Sequence, residues 1–355
     1  MTLVEFVPPT PHPLWKLCPQ MGITDVIVKV NPELTGLADP WRLSTLRSIV
    51  ERLKVEGLNV VGLEGDPFDM SPIKEYGGGG SSRAEAQRRR EESLSHYREL
   101  LESMGRLGIK LLCYNFMVGK GWSRTGVREG RGGAKATYFS LKGLTPKESD
   151  GSANASPIQN VGALAKTSDK SELKISHEEV WANYEYFIKA VMPTAEKCGV
   201  RMALHPDDPC LPSLGGYARI FGSIEAYDRA YAIYPSPSNA VTFCQANFKL
   251  MLGNGFLTLS DAARHFGKRI AFIHVRDVEG DKTDFTELFH DQGDTDQFAL
   301  MRTYRELGLH VPVRGDHVPE MAYDRDLTPE GTPGYFTLGR LFANGYLKAL
   351  LKSIA

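Results

Sequence analysis

The chain has 355 residues with 42 basic and 43 acidic side chains, so its formal net charge is −1. This balance excludes the class of nucleic acid-binding proteins that depend on an excess of basic charge. The length fits two domains of about 150 residues or one (β/α)8 barrel, a fold that spans roughly 200 to 400 residues.

Short runs of β-branched or apolar residues recur along the chain, as is typical of buried strands. They predict eight strands, at Leu3–Val7, Ile23–Val30, Leu58–Leu63, Ile109–Phe116, Val200–His205, Ala240–Cys244, Ile270–Val275 and Val311–Val313. No apolar run approaches about 18 residues, so the sequence predicts no membrane-spanning helix.

Helical signals separate most of these runs. Asp39 is predicted to cap a helix that has Pro40 at its first position. Ser223 and Asp296 are predicted to cap two later helices. The sequence therefore alternates between strands and helices, which is the pattern of parallel sheets with crossover helices.

A parallel sheet of eight strands removes its exposed edges when it closes into a barrel. We therefore predict an α/β fold, a (β/α)8 TIM barrel that forms one domain over residues 1–355. A doubly wound open sheet is the alternative. No predicted strand is followed by the Gly-x-Gly-x-x-Gly spacing of a dinucleotide site, which counts against that alternative.

Residues 119–175 form the longest stretch without clear periodicity, and they follow the fourth predicted strand. Long loops in compact domains are usually functional or disordered, and barrel enzymes build lids after the C-terminal ends of strands. We expect this insertion to lie on the active face, with a lid from Trp122 to Leu141. The polar part from Thr145 to Glu172 is expected to be a disordered surface insertion.

Four consecutive predicted strands end in residue types that bind metals. These residues are His205, Cys244, His274 and Asp316, on the fifth to eighth strands. All strand C-termini of a closed parallel barrel lie on one face, so the four residues become neighbours in space. A single cysteine or histidine at a strand end is most often a core residue. The joint pattern favours a site for one divalent transition metal ion.

Polar residues beside these four leave several roles open. His317 has three possible roles from the sequence: a fifth metal ligand, an acid–base group or a histidine of the loop without a role in the site. Asp207 and Asp208 lie between two prolines, and they either cap a turn or orient the ring of His205.

Seven short motifs follow one another along the chain: Cys113-Tyr114-Asn115-Phe116-Met117, Trp122-Ser123-Arg124-Thr125, His205-Pro206-Asp207-Asp208-Pro209, Thr242-Phe243-Cys244, His274-Val275-Arg276, Asp316-His317 and Pro333-Gly334-Tyr335. In this order they resemble the motifs of the mannonate dehydratase family of hexuronate breakdown. The likeness covers nearly the whole chain. One departure is Gln245-Ala246-Asn247-Phe248, since the family typically has a small Ser/Gly-rich turn after the cysteine.

The resemblance implies a metal-dependent, xylose-isomerase-like barrel. It also implies a hydro-lyase that removes water from D-mannonate to give 2-keto-3-deoxy-D-gluconate in hexuronate catabolism. The implied ligands are the four strand-end residues, and the implied metal is Mn²⁺, with Fe²⁺, Co²⁺ or Zn²⁺ as alternatives. His317 and Tyr335 match family positions that serve in proton transfer.

A sugar acid carries a carboxylate and several hydroxyls, so its site needs fixed cationic and amide donors. Arg276 is expected on the same side of its strand as His274, two residues before it. Further expected substrate contacts are Asn115, Trp122, Arg124 and His290. For Arg124, a solvated loop charge is the alternative.

The expected partner is a small-molecule sugar acid, and the expected oligomer is a homodimer; no nucleic acid or membrane partner is expected. Five scattered cysteines favour a reducing, cytoplasmic location. Two other functions stay open. One is a metal-dependent sugar isomerase or epimerase on the same barrel, and the other is a non-catalytic barrel in which four ligands close around a structural zinc.

Overall fold

Eight parallel strands form a ring in the computed structural model, which describes residues 1–77, 82–119, 121–142, 174–253, 255 and 257–354. The first strand is split into two pieces, and the ring consists of Thr2–Leu3 with Glu5–Val7, Asp25–Lys29, Asn59–Glu64, Leu111–Tyr114, Arg201–Leu204, Asn239–Cys244, Ile270–Val275 and Pro312–Gly315. All eight predicted strands are therefore confirmed.

The ring closes through the first strand. Thr2–Leu3 pairs with the eighth strand, and Glu5–Val7 pairs with the second. Between these two pieces, the amide of Val4 donates to the carbonyl of Val313 at 2.9 Å. All neighbouring strands of the ring run parallel. This confirms the predicted barrel and excludes the doubly wound open sheet.

Apolar residues on both faces of the strands explain why the barrel forms, because parallel barrel strands are buried on both sides. All six residues of Ile270–Val275 are buried. Inside the ring, Phe272 packs in one cluster with Ala203, Ala240 and Ala271, whose small side chains leave room for its ring. Gly62 also faces the interior, where a Cβ atom would lie 2.7 Å from Cδ1 of Ile27.

Helices follow most of the barrel strands. Those that the structure describes are Pro13–Gln20, Pro32–Thr35, Leu43–Val55, Ser71–Lys74, Arg83–Leu107, His177–Cys198, Ile224–Ile233, Gln245–Leu252, Leu259–Phe266, Gln297–Glu306, Asp324–Leu327 and Thr337–Ser353. The side chains of Ser223 and Asp296 accept backbone hydrogen bonds at their helix N-termini, as predicted. None of the helices in these ranges is long and apolar enough to cross a membrane.

The predicted cap at Asp39 is wrong. The helix begins at Leu43, and Arg42 occupies the cap position. Asp39 has a φ of 45°, and its carbonyl accepts from the amide of Arg42 across a tight turn. Its carboxylate forms an ion pair with Arg42 at 2.9 Å, so it is not available to the first amides of the helix.

A four-stranded antiparallel sheet stands beside the C-terminal ends of the barrel strands. Its strands, in order across the sheet, are Val278–Asp281, Asp284–Glu287, Lys135–Ser140 and Gly126–Glu129. Two of them fall in the stretch expected to be an irregular loop, so that expectation is wrong for this part. These two strands are regular because Lys135–Ser140 pairs with a strand of the hairpin of residues 278–287, almost 150 residues later in the chain. The insertion expected from Thr145 to Glu172 lies outside the described residues.

Candidate metal centre and active site

The barrel brings the four predicted ligands together at the C-terminal ends of its strands. Each of His205, Cys244, His274 and Asp316 offers one ligand atom, and these atoms all lie within 4.8 Å of one another. Cys244 and His274 are register partners on adjacent strands. Phe272, two residues before His274, supports its ring at a centroid distance of 4.5 Å. The fold therefore produces the neighbourhood that the strand ends predict, while the role of these residues as ligands stays a prediction.

His274 has the environment of a metal ligand. It is fully buried, and neither of its ring nitrogens has a hydrogen-bond partner among the described residues. A carboxylate oxygen of Glu64 lies 3.5 Å from its Nε2, and one of Asp316 lies 3.6 Å from its Nδ1. A buried polar group without a partner costs about 1–3 kcal/mol. A cation between these groups would remove that cost.

The hydrogen bond of His205 leaves one ring nitrogen available to a metal. Its Nδ1 lies 2.8 Å from the carbonyl oxygen of Pro206. A carbonyl only accepts, so Nδ1 carries the proton and Nε2 presents its lone pair. Asp207 and Asp208 make no hydrogen bond to this ring within the described chain, so the expectation that they orient it is wrong.

Cys244 is poised as a thiolate. Burial raises the pKa of its thiol, but the positive charge of Arg276 and the neighbouring rings of His205 and His274 outweigh burial and lower the pKa to about 6. A thiolate is the form that binds metals. Burial also raises the pKa of Asp316, yet Arg314 and the neighbouring histidines hold it well below its ordinary value. Two imidazoles, a thiolate and a carboxylate fit a divalent transition metal ion.

Glu64 was missed from the sequence, although it also ends a barrel strand. Together with Cys113 and His274 it forms a second group whose ligand atoms lie within 4.8 Å of one another. Arg314 pairs with the Glu64 carboxylate at 2.7 Å. Burial and the charge of Glu64 raise the pKa of the Cys113 thiol, and the Thr242 hydroxyl donates to its sulfur at 3.3 Å. This second group is therefore less suited to a metal than the first.

His317 and Tyr335 lie side by side next to the ligand group. Nε2 of His317 is 2.9 Å from Oη of Tyr335, which is 3.5 Å from Oδ1 of Asp316. Burial and the negative charge of Asp316 raise the pKa of Tyr335 well above its ordinary value, so the phenol stays protonated at neutral pH. Trp122 packs against His317, with ring centroids 5.0 Å apart. Trp122 therefore shields His317 on one side, and Tyr335 faces the predicted ligand Asp316.

Two arginines and two carboxylates hold the far side of His317. Arg124 forms a bidentate pair with Asp208 at 2.7 and 3.0 Å and contacts Glu287 at 2.5 Å. Arg276 contacts Asp208 at 3.0 Å. Nδ1 of His317 lies 2.7 Å from Nη1 of Arg276 and 3.0 Å from Oε1 of Glu287. All four charged side chains are buried, so we call them the arginine–carboxylate network.

Comparison with known proteins agrees with this arrangement. Residues 21–355 match the family model described as D-mannonate dehydratase (UxuA). The chain belongs to this family. The mannonate dehydratase of Streptococcus equi subsp. zooepidemicus is 28% identical over 346 residues, which cover 94% of this chain and 89% of that protein. The match confirms the resemblance seen in the motifs and the prediction of an enzyme of this family.

Solved structures agree with the same fold. The crystal structure of mannonate dehydratase from Streptococcus suis serotype 2 superposes with a TM-score of 0.79 at 24% identity, covering 100% of this chain and 93% of that chain. A xylose isomerase domain protein from Planctomyces limnophilus superposes with a TM-score of 0.53 at 12% identity, covering 99% and 97% of the two chains. The prediction of a xylose-isomerase-like barrel is therefore confirmed.

This mannonate dehydratase family member buries both arginines that the sequence marks as substrate contacts. Arg124 is 3% exposed, so the alternative of a solvated loop charge is excluded. Arg276 also reaches Oδ1 of Asn247 at 2.6 Å, and the Cys244 thiol lies 3.1 Å from the same oxygen. Asn247 lies in the segment that departs from the family pattern. The network thus joins Arg276 to the predicted ligand Cys244.

The other predicted contacts of this family member are held by protein groups. Oδ1 of Asn115 accepts from Nζ of Lys74 at 3.0 Å and from the amide of Met117. Nε2 of His290 donates to the carbonyl of Val275 at 2.7 Å, and burial lowers the pKa of His290. Neither makes a hydrogen bond to the four predicted ligands within the described ranges. Their contact with substrate stays a prediction.

Proposed function

We propose that this member of the family dehydrates D-mannonate, or a closely related sugar acid, to 2-keto-3-deoxy-D-gluconate. The observation that carries the proposal is the close approach of the four ligand-type residues to the His317–Tyr335 pair. We place the reaction in hexuronate catabolism. All five cysteines are unpaired in the structure, which supports a cytoplasmic setting.

The chemistry requires residues of these kinds. A divalent ion held by the four ligand residues would polarise the substrate carboxylate and make the hydrogen at C2 more acidic. One group must accept this C2 proton, and another must protonate the C3 hydroxyl so that it leaves as water. His317 and Tyr335 divide these two steps. The enol that results tautomerises to the 2-keto acid.

The side chains around His317 and Tyr335 suit proton transfer by this pair. Trp122 covers one side of His317, which limits the access of bulk water to the proton transfers. The arginine–carboxylate network fixes the far side of the ring, so that Nε2 points to Tyr335. Both proton-transfer groups are thereby held within reach of one bound sugar acid. We propose Arg124 and Arg276 as contacts that reach the substrate from this network.

We propose Mn²⁺ as the metal, with Fe²⁺, Co²⁺ and Zn²⁺ as the alternatives to test. The mixed ligand set is compatible with all of them, since imidazole and thiolate suit ions such as Zn²⁺ and Fe²⁺ and carboxylate suits Mn²⁺. Metal analysis of the protein as purified identifies the resident ion. Activity after removal of the metal and reloading with each ion then identifies the one that supports the reaction.

A panel of sugar acids tests the proposed reaction. Purified protein loaded with Mn²⁺ is incubated with D-mannonate and its epimers, and the products are measured by mass spectrometry as the substrate mass less one water. Tyr335→Phe is the matched negative control, because it removes only the phenolic oxygen that is proposed to transfer a proton. Formation of no dehydrated product from any sugar acid contradicts the proposal.

The same panel tests the two alternatives. Interconversion of sugars without loss of water would favour a sugar isomerase or epimerase. A four-coordinate zinc whose spectrum no sugar acid changes would favour a structural metal. The position of the His317–Tyr335 pair against Asp316 supports a reactive site over a closed structural one.

A further inference from the structure

Lys29 lies at the active face, although neither the sequence motifs nor the predicted reaction uses it. It is the last residue of the second barrel strand, so it shares the C-terminal face of the barrel with the predicted ligands. Its register partner is Glu64, whose carboxylate oxygen is 3.5 Å from Nε2 of His274. Nζ of Lys29 lies 5.8 Å from the centre of the Tyr335 ring. Lys29 is thus next to Glu64 in the barrel, and its ammonium lies over the ring of Tyr335.

Lys29 differs from the other paired cations of this face, because no described carboxylate lies within ion-pair distance of its ammonium. Arg276 pairs with Asp208, Arg314 pairs with Glu64, and Lys74 pairs with Asp66. Lys29 is half-buried, and no hydrogen bond or ion pair joins it to a residue within the described ranges. Its contact with the Tyr335 ring leaves the three N–H donors of the ammonium unused.

An ammonium in this position attracts an anion from solution. Desolvated cations are stable in proteins when they are paired, and here the protein supplies no pair. Burial lowers the pKa of Lys29, the charge of Glu64 opposes this and the charges of Arg340 and Arg314 add to it, with a net value of about 8. The Lys29 side chain is therefore protonated in most molecules at neutral pH. A bound carboxylate would stabilise that charge.

We infer that Lys29 binds the carboxylate of the sugar acid and selects aldonates over neutral polyols. The inference rests on the proposed function, because it takes the substrate to be a sugar acid bound at the predicted metal group. Lysine would act here as a point charge beside the substrate carboxylate. Negative charge grows on this carboxylate when C2 loses its proton, so the contact strengthens during the reaction.

The test compares Lys29→Met and Lys29→Arg with Lys16→Met, which removes an equal charge from a lysine whose side chain is 74% exposed. Calorimetry measures the Kd of D-mannonate and of D-mannitol, which has a neutral CH₂OH group in place of the carboxylate, on metal-loaded proteins that also carry Tyr335→Phe, so that no turnover disturbs the titration; kcat is measured on the same Lys29 and Lys16 variants with Tyr335 intact. Circular dichroism and metal analysis verify that each variant is folded and loaded.

For Lys29→Met we expect the Kd of D-mannonate to rise by about 10- to 100-fold, as for loss of one hydrogen bond to a charged group. We also expect kcat to fall. Binding of D-mannitol should match that of the wild type, Lys29→Arg should recover part of the affinity for D-mannonate, and Lys16→Met should change nothing.

Three outcomes would overturn the inference: an unchanged Kd of D-mannonate in Lys29→Met, an equal loss for D-mannonate and D-mannitol, or a loss of bound metal in this variant. The first of these leaves the proposed dehydration intact when the wild type still forms product. A wild-type protein that binds none of the sugar acids contradicts both proposals.

Discussion

Replacement of Glu287 by glutamine tests the arginine–carboxylate network directly. Glu287 is 1% exposed, and its carboxylate contacts Arg124 at 2.5 Å and His317 at 3.0 Å. Glutamine keeps the shape of the side chain but removes its charge. Asp208 then stays as the only carboxylate of the network, against two guanidinium groups.

The size of the effect follows from the pKa of Glu287. Burial raises this pKa, but the charges of Arg276 and Arg124 outweigh burial and lower it from the ordinary 4.5 to about 2. This difference corresponds to about 3 kcal/mol of stabilisation of the folded state at neutral pH. Because the folded-state pKa is depressed, the stabilisation is present above the unfolded-state value and is lost as the pH falls through about 2.

Urea unfolding at pH 7 and at pH 3 measures this effect. We expect Glu287→Gln to lower the free energy of unfolding by about 3 kcal/mol at pH 7 and by less at pH 3. The matched control is Glu279→Gln, on the neighbouring strand of the same sheet, where Glu279 is exposed and faces Thr286 in register. This control should stay within about 0.5 kcal/mol of the wild type. Equal stability of the two variants at pH 7 would refute the reasoning.

Three further predictions concern the site itself. Cys244→Ala and His274→Ala should each lose bound metal and activity while circular dichroism shows an intact barrel; loss of secondary structure together with the metal would mean that these residues are core residues. Arg276→Lys should lower kcat and raise KM for the sugar acid, because a lysine cannot reach Asp208, Asn247 and His317 together; unchanged kinetics would contradict the contact. Limited proteolysis between Trp122 and Leu141 should slow when D-mannonate is bound, and equal rates would count against a lid.

The barrel was predictable from the sequence because its strands are short apolar runs with helical segments between most of them. Each ligand-type residue lies at the end of such a run or just after it, so the closure of the ring alone places His205, Cys244, His274 and Asp316 together. The same argument applies to Glu64 and Lys29, which also end barrel strands. The sequence did not indicate these two residues, because neither belongs to a motif that resembles those of the family.

The arginine–carboxylate network could not be predicted, because it depends on a sheet outside the barrel. Asp284–Glu287 pairs with Lys135–Ser140, and this pairing turns Glu287 towards His317. Nothing within either segment indicates the other as its partner. The short strands have mixed burial, so their periodicity is weak, and pairing over a long sequence separation leaves no local signal.

The antiparallel sheet links the acid–base pair to the region after the fourth strand. Arg124 lies just before the strand Gly126–Glu129, and Glu287 is the last residue of the strand Asp284–Glu287. Both side chains contact Nδ1 of His317. A change in the conformation of this sheet must therefore move the charges that face His317. The same segment carries Trp122, which covers His317, and Arg124, which contacts it. A movement of this segment would therefore change both the access of water to His317 and the charges around it. For this reason we expect substitutions of Arg124 and Glu287 to change kcat more than the retention of metal, whereas Arg276 also acts on Cys244.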